Sequence, residues 1–160
     1  MSELRTNRIV PRDGLTSGTG KGGGVIQVVY GFATTQVSHT STSFIDIGLS
    51  ATITPTRSDS KIIVQGNIGG IETSADNNYG EGRLLRDSTE IIGEIDPGIG
   101  YTGDSNRAGT SSSYFILDEP ATASAITYKV QFRNAGGSGT ITTQTNTSRS
   151  AILLLSLIHI

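Results

Sequence analysis

The clearest pattern in the chain is Ile126 to Arg133, ITYKVQFR, where Ile126, Tyr128, Val130 and Phe132 alternate with Thr127, Lys129, Gln131 and Arg133. Period two puts the first set on a core face and the second in water, so this segment is predicted to be a half-exposed strand. The run Ala151 to Ile160, AILLLSLIHI, is the most apolar stretch. It falls short of the roughly 20 residues a membrane-spanning helix needs, and its composition predicts a buried strand around which the rest is wrapped. Ile152, Leu154, Ser156 and Ile158 would face one way and Leu153, Leu155, Leu157 and His159 the other.

Further strands are predicted at Val25 to Phe32, within Ser43 to Thr54, at Lys61 to Ile68, at Ser113 to Asp118 and at Thr140 to Thr143. Arg83 to Leu85 and Thr89 to Ile95 form a hairpin across Arg86, Asp87 and Ser88. No window sustains a 3.6-residue period. Eight or so short strands punctuated by Gly, Asn, Asp, Ser and Pro predict an all-β fold, a jelly-roll-like antiparallel β-sandwich spanning residues 25–160. The runs KIIV, YFIL and AILLLSLI are apolar on both faces, more oily surface than a single sandwich with a wet exterior requires.

Ahead of this head lie two segments of different character. Residues 1–14 alternate weakly and contain Pro11, which biases Val10 toward extended geometry and stops a helix; they read as an extended arm. Residues 15–24 are a glycine-rich hinge by composition. Two long polar loops are expected at 69–82 and 96–112, and a polar Thr/Ser loop holding a solvated His39 lies between the first two strands.

Composition narrows the function classes. Ser and Thr supply 40 of 160 residues and Gly 21, only 34% are hydrophobic, and the formal charge is −2. That charge offers no concentrated basic face for nucleic acid. With no cysteine, disulfides and thiolate metal sites are excluded. The polar start MSELRTNRIVPRD lacks the apolar core of a signal peptide. A Ser/Thr/Gly-rich β protein suits work outside a cell, and the absence of an export signal in that start implies assembly in a cytosol; virion proteins meet both conditions.

Candidate chemistry is sparse. SGTGKGGG imitates a phosphate-binding loop, but Leu15 and Gly22 occupy positions where that motif needs Gly and Ser or Thr, and no strand precedes it. The stretch Asp76 to Glu81 misplaces the glycine and distal acid of a calcium loop. His39 and His159 are the only histidines, and adjacent acids such as Asp118 and Glu119 would point to opposite faces of a strand. The expectation is a non-enzyme with no catalytic residues, no metal and no cofactor. Asn77, Asn78, Tyr79, Tyr101, Asp104, Asn106 and Arg107 in the long loops are the candidate receptor contacts. Tyrosine gives a rigid contact surface with a polar tip, and Asn and Asp suit sugar hydroxyls. The same residue types also populate ordinary turns.

Several segments carry a resemblance. LRTNRIVPRDG at Leu4 to Gly14, the glycine stretch, VIQVV at Val25 to Val29, SKIIVQGNI at Ser60 to Ile68, RLLRDSTEI at Arg83 to Ile91 and DEPATASAITYKVQF at Asp118 to Phe132 resemble small tail-fibre or virion structural proteins of tailed bacteriophages, notably of marine and cyanobacterial hosts. The resemblance implies a homotrimer of jelly-roll heads broadly like the tumour-necrosis-factor and C1q architecture. It further implies an N-terminal peptide, here Leu4, Arg5, Asn7, Arg8, Ile9, Val10 and Pro11, docked on phage tail or baseplate proteins. The implied function is a short fibre made in the host cytoplasm, located in the virion and contacting a host surface glycan or protein, without membrane insertion. The alternative is a trimeric capsid decoration (cement) protein that binds no receptor.

Overall fold

The computed structural model describes residues 24–76, 78–95, 108–144 and 151–159. It contains ten strands and, among the described residues, no helix: β1 (Gly24–Ala33), β2 (Val37–His39), β3 (Ile45–Ile53), β4 (Lys61–Thr73), β5 (Gly80–Arg86), β6 (Thr89–Ile95), β7 (Ala108–Asp118), β8 (Ile126–Asn134), β9 (Ile141–Thr143) and β10 (Ala151–His159). Apart from the three-residue strands β2 and β9, eight long strands form two antiparallel sheets. The first runs β1-β10-β4-β7, with β9 and β2 attached at one end of β4, and the second runs β3-β8-β5-β6.

The order has a simple origin. Counting only the long strands, the first pairs with the last, the second with the seventh, the third with the sixth and the fourth with the fifth. One long hairpin rolled up on itself gives this set of pairings, and the result is the jelly roll that the strand count predicts.

The alternation read in Ile126 to Arg133 is obeyed along all of β8, whose residues are buried and half-buried in strict turn. Tyr128 and Phe132 are fully buried there, against Ile47, Leu49 and Ile53 of β3, Ile62, Val64 and Ile68 of β4, and Leu153, Leu155 and Leu157 of β10 in one core. Each such side chain contributes roughly 1.5–3 kcal/mol on leaving water. At Gly31 the first sheet comes so close to β3 that a Cβ would fall 2.0 Å from the Ser50 carbonyl oxygen, so only glycine allows this approach.

Several bounds differ from the sequence reading. β4 continues past Ile68 through a bulge between Ile68 and Ile71, where Gly70 takes a positive φ of 60°, so residues 69–73 are strand. The same holds for 80–82 and 108–112. Gly24, the last residue of the glycine stretch, already pairs with His159. His39 lies in β2, paired with Ile141, where a solvated loop was expected. β10 is an interior strand as predicted, but only its Leu153, Leu155 and Leu157 side is fully buried; Leu154, Ser156 and Ile158 are half-exposed.

The strand directions give the head two poles. The first residue of β1, the last of β10, and the connections 54–60, 87–88 and 119–125 share one pole, called proximal here. The strand ends joined by residues 34–44, 74–79, 96–107 and 135–150 lie at the other, distal pole.

Candidate assembly face and distal loops

The two sheets present unlike outer faces. On the second sheet the outward residues are charged and mutually paired. Lys129 Nζ lies 3.2 Å and Gln131 Nε2 2.7 Å from the Asp46 carboxylate, Arg83 Nε donates to Gln131 Oε1 at 2.8 Å, Arg83 Nη1 to Glu90 at 3.1 Å, and Arg133 Nε to Glu81 at 2.8 Å. Both guanidinium groups lie over the Phe44 ring, at 4.2 and 4.8 Å. Partial burial pushes the Asp46 carboxyl up, but the hydrogen bonds from Gln131 and Lys129 outweigh it and hold the group below its ordinary value. This is the face of a sheet built to be wet.

The first sheet is the opposite. Its registers align Val28, Ser156, Ile63 and Leu117 in one cross-strand row and Tyr30, Leu154, Gln65 and Phe115 in the next. Tyr30 and Phe115 are each 66% exposed and Val25 61%, and Val28, Phe32 and Leu117 are exposed as well. Neither row holds a charged side chain; at the proximal margin of the face Lys61 pairs with Glu119 at 2.7 Å. Between β4 and β7 the face has a shallow hollow of about 440 Å³, lined by Gln65, Gly66, Asn67, Ser113, Tyr114, Phe115 and Leu154. The sequence runs YFIL and VIQVVY mark strands here; which of their apolar residues face outward follows only from the strand register.

At the proximal pole the two sheets are clamped by one polar cluster. The Asp118 carboxylate, at the end of β7, accepts from Tyr128 Oη at 2.6 Å and from Arg86 Nη1 at 2.9 and 3.0 Å. Burial, then the hydrogen bond to Asp118, drives the Tyr128 hydroxyl far above its ordinary pKa, so it stays a donor.

At the distal pole Asn134 is the hub. It is fully buried; its Nδ2 donates to the carbonyls of Ser138 and Gly139, its Oδ1 accepts from the Gly137 N–H, and its own N–H donates to the Ser41 carbonyl. The Tyr79 carbonyl accepts from the N–H groups of Ala135 and Gly136, tying the connections 74–79 and 135–140 together. Of the candidate receptor contacts, Tyr79 is exposed on this tie, 39% accessible. Asn78 is not presented: it is fully buried and its Nδ2 donates to Thr73 Oγ1 at 3.0 Å, so its role is to hold the loop. Asn77, Tyr101, Asp104, Asn106 and Arg107 lie outside the described residues, as do Leu4, Arg5, Asn7, Arg8, Ile9, Val10 and Pro11 of the arm. Among the described residues no group of three or more acidic, His or Cys side chains is placed to hold a metal.

His39 packs edge-on to Phe132, centroids 6.2 Å apart, with both ring nitrogens shut off from water. Burial lowers its pKa below 6.5, a backbone interaction at Ser41 acting weakly the other way. Above pH 6.5 the ring is neutral folded or unfolded. As pH falls below 6.5 the unfolded chain takes up a proton that the folded one refuses, so stability drops until the folded-state pKa is passed. Denaturant midpoints measured at pH 7.5 and 5.0 should differ, and His39→Phe should reduce that difference; an unchanged difference would assign it to other groups.

No family model and no curated protein matches the sequence. Among solved structures the chain is similar to the VP2 subviral particle of infectious bursal disease virus, at 12% identity and a TM-score of 0.48 over 97% of this chain and 43% of that one. T=1 particles derived from the same virus give 12% and 0.48 over 98% and 41%. Eiger TNF from S. frugiperda gives 11% and 0.37 over 81% and 90%. The chain spans less than half the length of the two viral-particle proteins.

Proposed function

We propose that the protein is a non-enzymatic virion structural protein, a short tail or baseplate fibre of a tailed phage, whose N-terminal arm docks on the particle and whose head is a homotrimer. The observation that carries the reading is the outer face of the first sheet, whose central rows are uncharged and largely apolar, beside the salt-bridged outer face of the second. Its six exposed apolar side chains present several hundred Å², on the order of the ~800 Å² per partner of a standard interface and at the upper end of what a monomer leaves bare. Packing copies against this face hides it and leaves the wet sheet outside.

The two poles supply the rest. β1 begins at the proximal pole, so a preceding arm held by the particle would leave Tyr79 and the distal strand ends directed outward. Contact with a host glycan or protein there would be weak per head and strengthened by three copies.

The test is made on particles. Removing residues 1–12 is expected to leave a folded, oligomeric head that no longer enters virions, and electron microscopy of labelled intact particles is expected to place the head on the tail or baseplate. Label on the capsid shell, with loss of shell stability when the protein is missing, would replace this reading with that of a cement protein. Incorporation of the truncated chain at normal levels would refute the docking arm.

A further inference from the structure

The apolar face is not flat, and its relief is lopsided. On β1, at one flank, Tyr30 and Phe32 stack with ring centroids 6.3 Å apart and planes 22° from parallel, and both are exposed. They form a rigid aromatic projection. On the other flank lies the hollow between β4 and β7, walled by Phe115 and Leu154 and floored by Gln65, Asn67 and Ser113, where Asn67 Nδ2 donates to Ser113 Oγ at 2.8 Å. The near wall, Leu154, is the register partner of Tyr30 one strand away, and the far wall, Phe115, lies three strands from β1; with strands about 4.8 Å apart the hollow opens away from the projection, toward β7. Neither Tyr30 nor Phe32 lines the hollow of its own copy.

The two shapes match in chemistry as well as size. A hollow of about 440 Å³ falls within the roughly 300–1,000 Å³ typical of pockets that seat a small molecule, ample for one aromatic ring with part of a second. Its walls are apolar, suiting ring faces, and its floor carries amide and hydroxyl groups, suiting a phenol tip that needs a hydrogen-bond partner once buried. Neither side carries a charge, so nothing must be desolvated at the cost a buried ion would impose.

We infer that the projection of one copy, Tyr30 with Phe32 beside it, seats in the β4–β7 hollow of the next, and that this interlock fixes the register of the assembled head. The inference rests on the homotrimer reading and deepens it by naming the contact. Because projection and hollow occupy different flanks, each copy gives to one neighbour and receives from the other, the arrangement by which a rotationally symmetric ring closes. All copies then keep their proximal poles on the same side.

The chain has no cysteine, so disulfide trapping in the full-length protein is clean. Tyr30→Cys and Ser113→Cys are made separately and together, and folding is checked by circular dichroism. Mixing the two single variants under mild oxidation should give a reducible two-chain species, and the double variant should give a covalent trimer on a non-reducing gel. Tyr30→Ala should weaken association at least tenfold by sedimentation. An associated head that gives no Tyr30–Ser113 cross-link, or one that cross-links Tyr30 to Tyr30, overturns the interlock and leaves self-association standing. A covalent dimer from the double variant keeps the interlock and overturns three-fold order. A head that is monomeric at micromolar concentration overturns both.

Discussion

Replacing Asp118 by alanine is expected to lower the folding free energy by about 3 kcal/mol. The corresponding fall in melting midpoint is roughly 6–12 °C for a chain of this size. The carboxylate is nearly buried and serves two donors from the other sheet, the Tyr128 hydroxyl and the Arg86 guanidinium. Removing it leaves a fully buried phenol and a mostly buried cation without their acceptor, and a stranded polar group costs more than the bond it loses. The matched control removes all three polar ends together, as Asp118→Leu, Arg86→Leu and Tyr128→Phe, and should regain much of the loss. Protein concentration must be held constant, because any association of copies would add its own concentration-dependent stabilisation. A loss below about 1 kcal/mol would show that the clamp is not what holds the proximal ends of the sheets together.

The second large effect concerns association. Val28→Asp with Phe115→Asp places two carboxylates on the first sheet's outer face, at positions 55% and 66% exposed. In an isolated head such surface changes move stability by no more than about 0.5 kcal/mol. In an assembly they bury unpaired charge at several kcal/mol each, and at 1.4 kcal/mol per factor of ten the association constant should fall by roughly a thousandfold or more. Sedimentation velocity reads the mass and a melting curve the fold. A doubly substituted head that still associates would move the interface elsewhere.

Much of this architecture is legible in the chain, for identifiable reasons. β8 can be read residue by residue because each polar position carries a long side chain that reaches water while each inward one is large and apolar. The β5–β6 hairpin announces itself through Asp87 and Ser88, and Asp87 adopts the positive φ of 52° that a tight turn invites. Strand ends rich in Gly, Ser and Thr are another matter. Residues 69–73 and 108–112 read as loop because their side chains carry little pattern, yet the backbone pairs β4 with β7 through both. β2 is similar, three residues whose strand character comes from β9, over 100 positions away.

The candidate site was harder to read than the fold. Oily residues on both sides of KIIV, YFIL and AILLLSLI foretell surplus apolar surface, but not which side is spare. That depends on long-range register, which sets Phe115 opposite Gln65 and Tyr30 opposite Leu154. Asn78 misled for the converse reason: a loop asparagine reads as a surface donor until its Thr73 partner is known.

The gathering of the longer connections at one end has a consequence for how such a head can change over time. The pairings that define the roll lie between the poles, and doubling the length of a closed segment costs only about 0.6 kcal/mol. Insertions or exchanges at the far end can therefore remodel the surface offered to a partner while the rolled hairpin keeps its register. The turn at Asp87 and Ser88 has no such latitude, since the Asp87 N–H donates to the Thr127 carbonyl and its Oδ1 accepts from the Thr127 N–H. Diversity is cheap in the distal connections and tightly limited at the Asp87–Ser88 turn.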